Sequence, residues 1–472
     1  MSDNGKKKGF RLDLGNINPL VMVLAIMLVA VLLTYVVPAG TYDVTKDENG
    51  ITRIDVDSYT RIEQTPFNVL NLPATIASAF SKSISIIVLI GVGGGAFEVL
   101  RQTGAIDAII GLTITKCKGK EKYALWVISL VFAMMSCACI PQVFIPFTPM
   151  CVALALALGY DAVTGTALLL LSTVVGGIAQ PFAANTVAAQ SLLGLPAYSG
   201  IGYRFGIFVV FYLVSTAYLV HYAEGIKKDP TRSVMYGLGK EQEERVAKAK
   251  NVEYPKLNVK HILTMASLVA VIVMMIYGGL KLGYGNYEIA GLFLVMGLVT
   301  GLIGGFNLNK IAQFFTQGVK QMTGTFLIIG LGTAVANVLS SGNIIYTIIH
   351  AMVELLKGWP VFLVPVGMMI IVCIANIVVP SLNGKLPMLL PILGPVCKAL
   401  GVEQQLLVVS YAFGDSFTNF ILPYDSGLVG FLMAGDIPFG SWMRFFLKLE
   451  ILWIVLGSVL MLVLHMVGMG PF

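Results

Sequence analysis

Apolar runs long enough to cross about 30 Å of hydrocarbon recur along this chain, and they leave few folds open. Leu20 to Val37, Ser83 to Leu100, Phe205 to His221, Ile262 to Leu280 and Phe445 to His465 are the clearest. In lipid every backbone polar group needs a partner within the protein, so spanning segments are helices or closed barrels. Barrel strands alternate apolar and polar residues, and these runs do not. With 57% hydrophobic and only 12% charged residues, a soluble domain of 472 residues is excluded. The expected fold is an all-α polytopic membrane protein.

Two regions resemble each other 239 positions apart. Phe67-Asn68-Val69-Leu70, leading to Gly91-Val92-Gly93-Gly94-Gly95-Ala96-Phe97-Glu98-Val99-Leu100, is matched by Phe306-Asn307-Leu308-Asn309, leading to Gly330-Leu331-Gly332-Thr333-Ala334-Val335-Ala336-Asn337-Val338-Leu339. Ile106, Ile109 and Ile110 keep register with Ile345, Ile348 and Ile349. Lys6, Lys7, Lys8 and Arg11 hold residues 1–18 in the cytoplasm by the positive-inside rule. Residues 19–65 carry the first span and an extracytoplasmic loop rich in acids (Asp43, Asp47, Glu48, Asp55, Asp57, Glu63), so the first copy, 66–222, begins outside. Cleavage of a signal peptide after Ala39 is a second reading of this end, although the apolar stretch exceeds an ordinary signal core. The linker 223–260, with nine bases against six acids, is cytoplasmic. Two linking spans occupy 261–305, so the second copy, 306–472, begins inside and its C-terminus lies outside. The bases sit in short loops beside spans, which accounts for the net charge of +6 without nucleic acid.

Each copy carries the same parts in the same order. A crossing helix (Ser83 to Leu100; Thr323 to Leu339) is followed by an interfacial one (Ala105 to Thr115; Ile344 to Leu356). Next come two short arms around a broken tip, at about 123–158 and about 360–400, which read as re-entrant hairpins. Overlong, interrupted spans follow at about 163–195 and about 404–433. Inverted repeats with broken helices are the layout of secondary transporters, whose sites lie where the halves meet.

The second tip, from Asn376 to Pro387, sets Asn376, Ser381, Asn383, Gly384 and Lys385 between apolar arms. Its carbonyls suit sodium, its helix start suits an anion, and Lys385 suits a substrate carboxylate. An extracellular loop with a snorkelling Lys385 is the plainer reading. The second break is read at Ser410 to Asn419, followed by Pro423-Tyr424-Asp425. An aspartate in a span costs about 2.5–3.5 kcal/mol on insertion scales, so Asp415 needs a cation, a proton or a polar partner. Sodium among oxygens of Asp415, Ser416, Thr418 and Asn419 is one answer; capping of the second half-helix by Asp415 is the other. Asp425 is expected at the surface. In the first copy the matching places, Ser136 to Gln142 and Gly176 to Thr186, hold no carboxylate. A sodium site there would use carbonyls, hydroxyls and amides. Glu98 and Arg101 read equally as an ion pair at helix spacing and as a gate. Cys137-Ala138-Cys139 reads as small packing residues rather than a metal site, since no histidine is near.

At these residues the chain resembles a known family. Val37-Pro38-Ala39-Gly40-Thr41-Tyr42, Tyr203-Arg204 with Asp229-Pro230, Pro380-Ser381 with Gly384-Lys385, and Phe413-Gly414-Asp415-Ser416-Phe417-Thr418-Asn419 are similar to the YfcC branch of the DcuC-type C4-dicarboxylate carriers, within the wider ion transporter superfamily. The resemblance implies a homodimer, a scaffold domain, a moving transport domain, elevator-type alternating access and sodium clamped at each tip. One clamp would use Ser136 to Gln142 with Gly177 and Asn185. The other would use Asn376, Ser381 and Asn383 with Asp415, Thr418 and Asn419. Substrate contacts are expected from Ser136, Gln142, Gln180, Asn185, Thr186, Asn376, Ser381, Asn383, Lys385, Thr418 and Asn419. Relatives described as basic amino acid carriers show paired acids in the first tip, where this chain has Ser136-Cys137-Ala138-Cys139-Ile140-Pro141-Gln142. That departure, with Lys385, favours a di- or monocarboxylate or an amino acid as substrate, with basic amino acid exchange as the alternative.

The expectation is therefore a sodium- or proton-coupled carrier of the bacterial inner membrane, in contact with lipid, needing no cofactor beyond sodium. An anion channel is the rival, because re-entrant loops also build filters. An enzyme is not expected: Walker, HExxH and GxSxG motifs are absent, and His221, His261, His350 and His465 all lie at span or helix ends.

Overall fold

Hydropathy decides most of the architecture. The computed structural model describes residues 19–46, 52–55, 57–117, 119–137, 139–238, 254–379 and 382–470. Among them, eight helices are long and apolar enough to cross a membrane. The first copy comprises α2 (Leu72–Gln102), α3 (Ala105–Cys117), α4 (Glu121–Ser136), α5 (Thr148–Ala157), α6 (Ala162–Ala179), α7 (Ala184–Leu192) and α8 (Ile201–Lys228), after α1 (Pro19–Val36). Linking helices α9 (Val259–Tyr277) and α10 (Asn286–Gly304) follow. The second comprises α11 (Leu308–Gln321), α12 (Thr323–Ser341), α13 (Ile345–Leu356), α14 (Val364–Val378), α15 (Leu382–Ala399), α16 (Gln404–Asn419), α17 (Ser426–Gly435) and α18 (Phe439–Val467). Three prolines, Pro387, Pro391 and Pro395, lie inside α15.

Two features depart from an all-α reading in which one helix leads each copy. The loop after α1 forms two antiparallel ribbons, β1 (Gly40–Thr41) with β4 (Thr60–Arg61) and β2 (Val44–Lys46) with β3 (Thr52–Ile54). Their threonines and valine favour the pleat, and Tyr59 stacks on His350 of α13 at 3.9 Å, anchoring the loop. The second departure is α11. The single 31-residue α2 is answered in the second copy by two helices, α11 and α12, joined at Met322. The first of these is amphipathic, with Ile311 buried and Lys310, Gln313 and Lys320 on its polar side.

Helix α2 runs antiparallel to α11 and α12. Ser83 Oγ meets Thr333 Oγ1 at 2.7 Å near one end, while Gly94 packs on Gly318 and Met322 further along. A Cβ on Gly318 would lie 2.2 Å from the Gly94 carbonyl oxygen, so only glycine permits this crossing. Around it α1, α2 and α9 to α12 form one packed group; α4 to α8 and α14 to α18 form another. The groups meet where α17 lies on α12 and where the 3₁₀ turn Pro141–Phe147 lies on α2.

Candidate functional site

The second broken span ends later than its sequence suggests. Ser410 to Asn419 is helical, and the interruption falls at 420–425, before α17. Asp415 therefore stands one turn inside the end of α16. Capping falls to Asp425 instead, whose Oδ1 accepts from Leu428 N at 2.8 Å. Asp425 is buried rather than on the surface, because a helix starting inside the protein needs its free N–H groups satisfied there.

The last turn of α14 brings Asn376 against this turn of α16. Asn376 Nδ2 donates to Thr418 Oγ1 (2.7 Å), Asn419 Oδ1 (2.6 Å) and the Asp415 carbonyl (3.3 Å). Asn419 Nδ2 donates to Asp415 Oδ2 at 3.2 Å. The first turn of α15 then delivers Lys385, whose Nζ donates to both Asn376 Oδ1 and Asp415 Oδ1. Lys385 is 1% exposed, Asn376 0% and Asp415 5%. Two of the oxygens expected to hold sodium, Asp415 Oδ1 and Asn376 Oδ1, thus accept from the Lys385 ammonium.

In front of this network lies a cavity of about 530 Å³. Gln142, Gly177, Gln180 and Asn185 of the first copy and Asp415, Ser416 and Asn419 of the second line it. The two broken spans meet here: a Cβ on Gly177 would sit 3.5 Å from Ser416 Oγ. Of the other expected residues, Ser136, Thr186, Asn376, Lys385 and Thr418 are buried and absent from the wall. Ser136 Oγ donates to the carbonyls of Ala133 (3.0 Å) and Ser172 (3.3 Å). Thr186 Oγ1 donates to the carbonyl of Gln180 (3.0 Å), which ends α6 in the left-handed region at φ 44°. Ser381 lies outside the described residues; Asn383 is in the first turn of α15, and its side chain is not among those described.

Three residues were given no role from sequence. Lys82 of α2 lines the cavity, is exposed, and donates to Asn337 Oδ1 of α12 at 3.0 Å. A lysine within an apolar run was the available signal. Arg204 is 1% exposed, and its Nη1 donates to the Ala179 carbonyl at 3.2 Å, closing the broken end of α6. Glu450 in α18 is 2% exposed, with no hydrogen-bond partner for either carboxylate oxygen among the described residues. Glu98 is an ion-pair partner: Arg101 Nη2 reaches its Oε1 at 2.6 Å.

A cavity walled by both copies, with polar side chains among its lining, is what a carrier requires, and comparison with known proteins decides the matter. The family model described as DcuC, C4-dicarboxylate anaerobic carrier, matches residues 18–466. The chain belongs to the DcuC family. It is a multi-pass membrane transporter, not an enzyme. Among curated proteins it is 26% identical over 492 aligned positions to YfcC of Escherichia coli K12, which carries the provisional name of a basic amino acid antiporter; the match covers 95% of this chain and 96% of that one. It is 28% identical over 413 positions to an uncharacterized protein of Haemophilus influenzae Rd, covering 86% and 80%. Among solved structures it is similar to the YdaH transporter of Alcanivorax borkumensis (16% identity, TM-score 0.43, 96% of this chain and 100% of that one). The MtrF efflux pump of Neisseria gonorrhoeae is similar at 14% identity and TM-score 0.45, covering 96% of each.

Proposed function

We propose that this DcuC-family protein is a cation-coupled secondary active carrier of a small organic anion, a di- or monocarboxylate or an amino acid, in the bacterial inner membrane. One observation carries the reading: the cavity is walled by polar residues of both copies, with Lys82 of the first and Asp415, Ser416 and Asn419 of the second all among them. Lys82 is the partner for a substrate carboxylate, and Gln142, Gln180, Asn185 and Asn419 supply neutral hydrogen bonds. The coupling cation, sodium or a proton, enters on the first copy's side, where Gly177 approaches Ser416 and Asn185 also lines the cavity.

The antiparallel crossing of α2 with α11 and α12 supports two inverted copies. On that basis α4–α5 and α14–α15 act as re-entrant hairpins that move with their broken spans as a transport domain, in an elevator motion against a scaffold built from α1, α2 and α9 to α12. A homodimer would hold the scaffolds together, with the N-terminus cytoplasmic and the C-terminus extracytoplasmic. The name of the E. coli relative supports exchange of basic amino acids as a second reading.

Purified protein in liposomes, given labelled carboxylates and amino acids under an imposed sodium or proton gradient, tests this. Saturable uptake above equilibrium is expected with one gradient. Flux that follows only the solute's own gradient would make the protein a channel, and trans-stimulation by arginine or lysine would favour exchange.

A further inference from the structure

The second copy contains a cation of its own. Asp415 and Asn376 turn one oxygen each toward Lys385 Nζ, and the Tyr411 ring lies 5.7 Å from it. Their remaining polar atoms point elsewhere: Asp415 Oδ2 accepts from Asn419, and Asn376 Nδ2 donates to Thr418 and Asn419. Two oxygens, one of them a carboxylate's, thus converge on a single point, and a monovalent positive charge is what that point suits.

An ammonium fits such a cage as a compact point charge with three donors. It differs from sodium in one respect, its tether. The stem of Lys385 fixes it at high effective concentration, so it does not exchange with the bath. Asp415's charge is balanced whichever side the site faces.

We infer that Lys385 is a built-in replacement for one coupling ion: its ammonium fills a cation cage in the second copy, and its removal uncovers a latent sodium site on Asp415 and Asn376. This rests on reading the chain as a cation-coupled carrier, and it limits that carrier to ions bound on the first copy's side. The second copy carries its positive charge back and forth without releasing it.

The test is thermal unfolding of purified full-length protein in sodium chloride against choline chloride at equal ionic strength. In Lys385→Ala, 100 mM sodium is expected to raise the Tm by about 5 °C more than it does in wild type, as for an ion binding only the folded state. Adding Asp415→Asn to that variant should abolish the extra shift. Equal sodium shifts in wild type and Lys385→Ala would overturn the inference. If Lys385→Ala does not fold, Lys385→Gln keeps the length and a donor while removing the charge, and the same extra shift is expected. Failure of both variants to fold in sodium would show that no external ion can enter the cage, which also overturns it. Wild-type uptake is measured separately: an extra sodium shift without any uptake would reject the carrier and leave the cage standing.

Discussion

The places where a helix arm meets a broken span differ between the two copies. In the first, α4 closes on α6 through direct contact: a Cβ on Gly176 would lie 1.9 Å from Ser136 Oγ and 2.7 Å from its backbone carbonyl carbon. No charge is involved. In the second, α14 and α15 close on α16 through Asn376, Lys385 and Asp415. The lesson is that joining arm to span needs only close packing. A carboxylate at that junction demands a counter-charge, and once the demand exists a lysine within reach satisfies it.

The hardest blow to this contrast is Asp415→Asn, which leaves the Lys385 ammonium buried without its counter-charge. A loss of about 3–5 kcal/mol is expected, with uptake abolished. Chemical denaturation in detergent reads it, and a fully stable variant would erase the difference between the copies. Next is Gly176→Ala, where the added methyl meets backbone as well as the Ser136 hydroxyl. Overpacking should remove about 1–3 kcal/mol, and adding Ser136→Ala should not restore it. Recovery in that double variant would mean the junction is looser than described.

Smaller effects probe the surroundings. Lys82→Gln should leave the Tm unchanged, because the side chain is exposed, while weakening carboxylate binding about tenfold through loss of a charge-assisted hydrogen bond. Unchanged affinity in a ligand-shift titration would remove Lys82 from the site. Glu450→Met is the mildest. That acid has no Lys385 of its own, and replacing an unpartnered buried carboxyl by an apolar chain should raise the Tm by about 2–4 °C. A fall would point to a partner for Glu450.

Much of the architecture was legible, since spans declare themselves by long apolar runs. Amphipathic α11 was not, because Lys310, Gln313 and Lys320 dilute its mean hydropathy; Ile311, Phe314 and Phe315 carry a helical period that would have found it. The ribbons escaped because strands of two or three residues leave no pattern to count. At the site, Asp415 and Lys385 were both picked out, but each was given an external partner. They lie 30 positions apart, and only the packing of α15 on α16 brings them together. Charge logic already favoured the pair, since opposite charges buried in neighbouring elements compensate each other before they recruit anything from solution. Lys82 needed the α2–α12 crossing to reveal which way it faces.

The three prolines of α15 remain. Each removes the N–H that would reach the carbonyl four residues back, so the carbonyls of Asn383, Pro387 and Pro391 lose their helical donors. Spaced by four, they fall along one side of the helix. The arm that carries Lys385 is therefore stitched on one flank and open on the other. It can bow about the open flank without breaking a hydrogen bond, and a change in its curvature swings the ammonium at its tip.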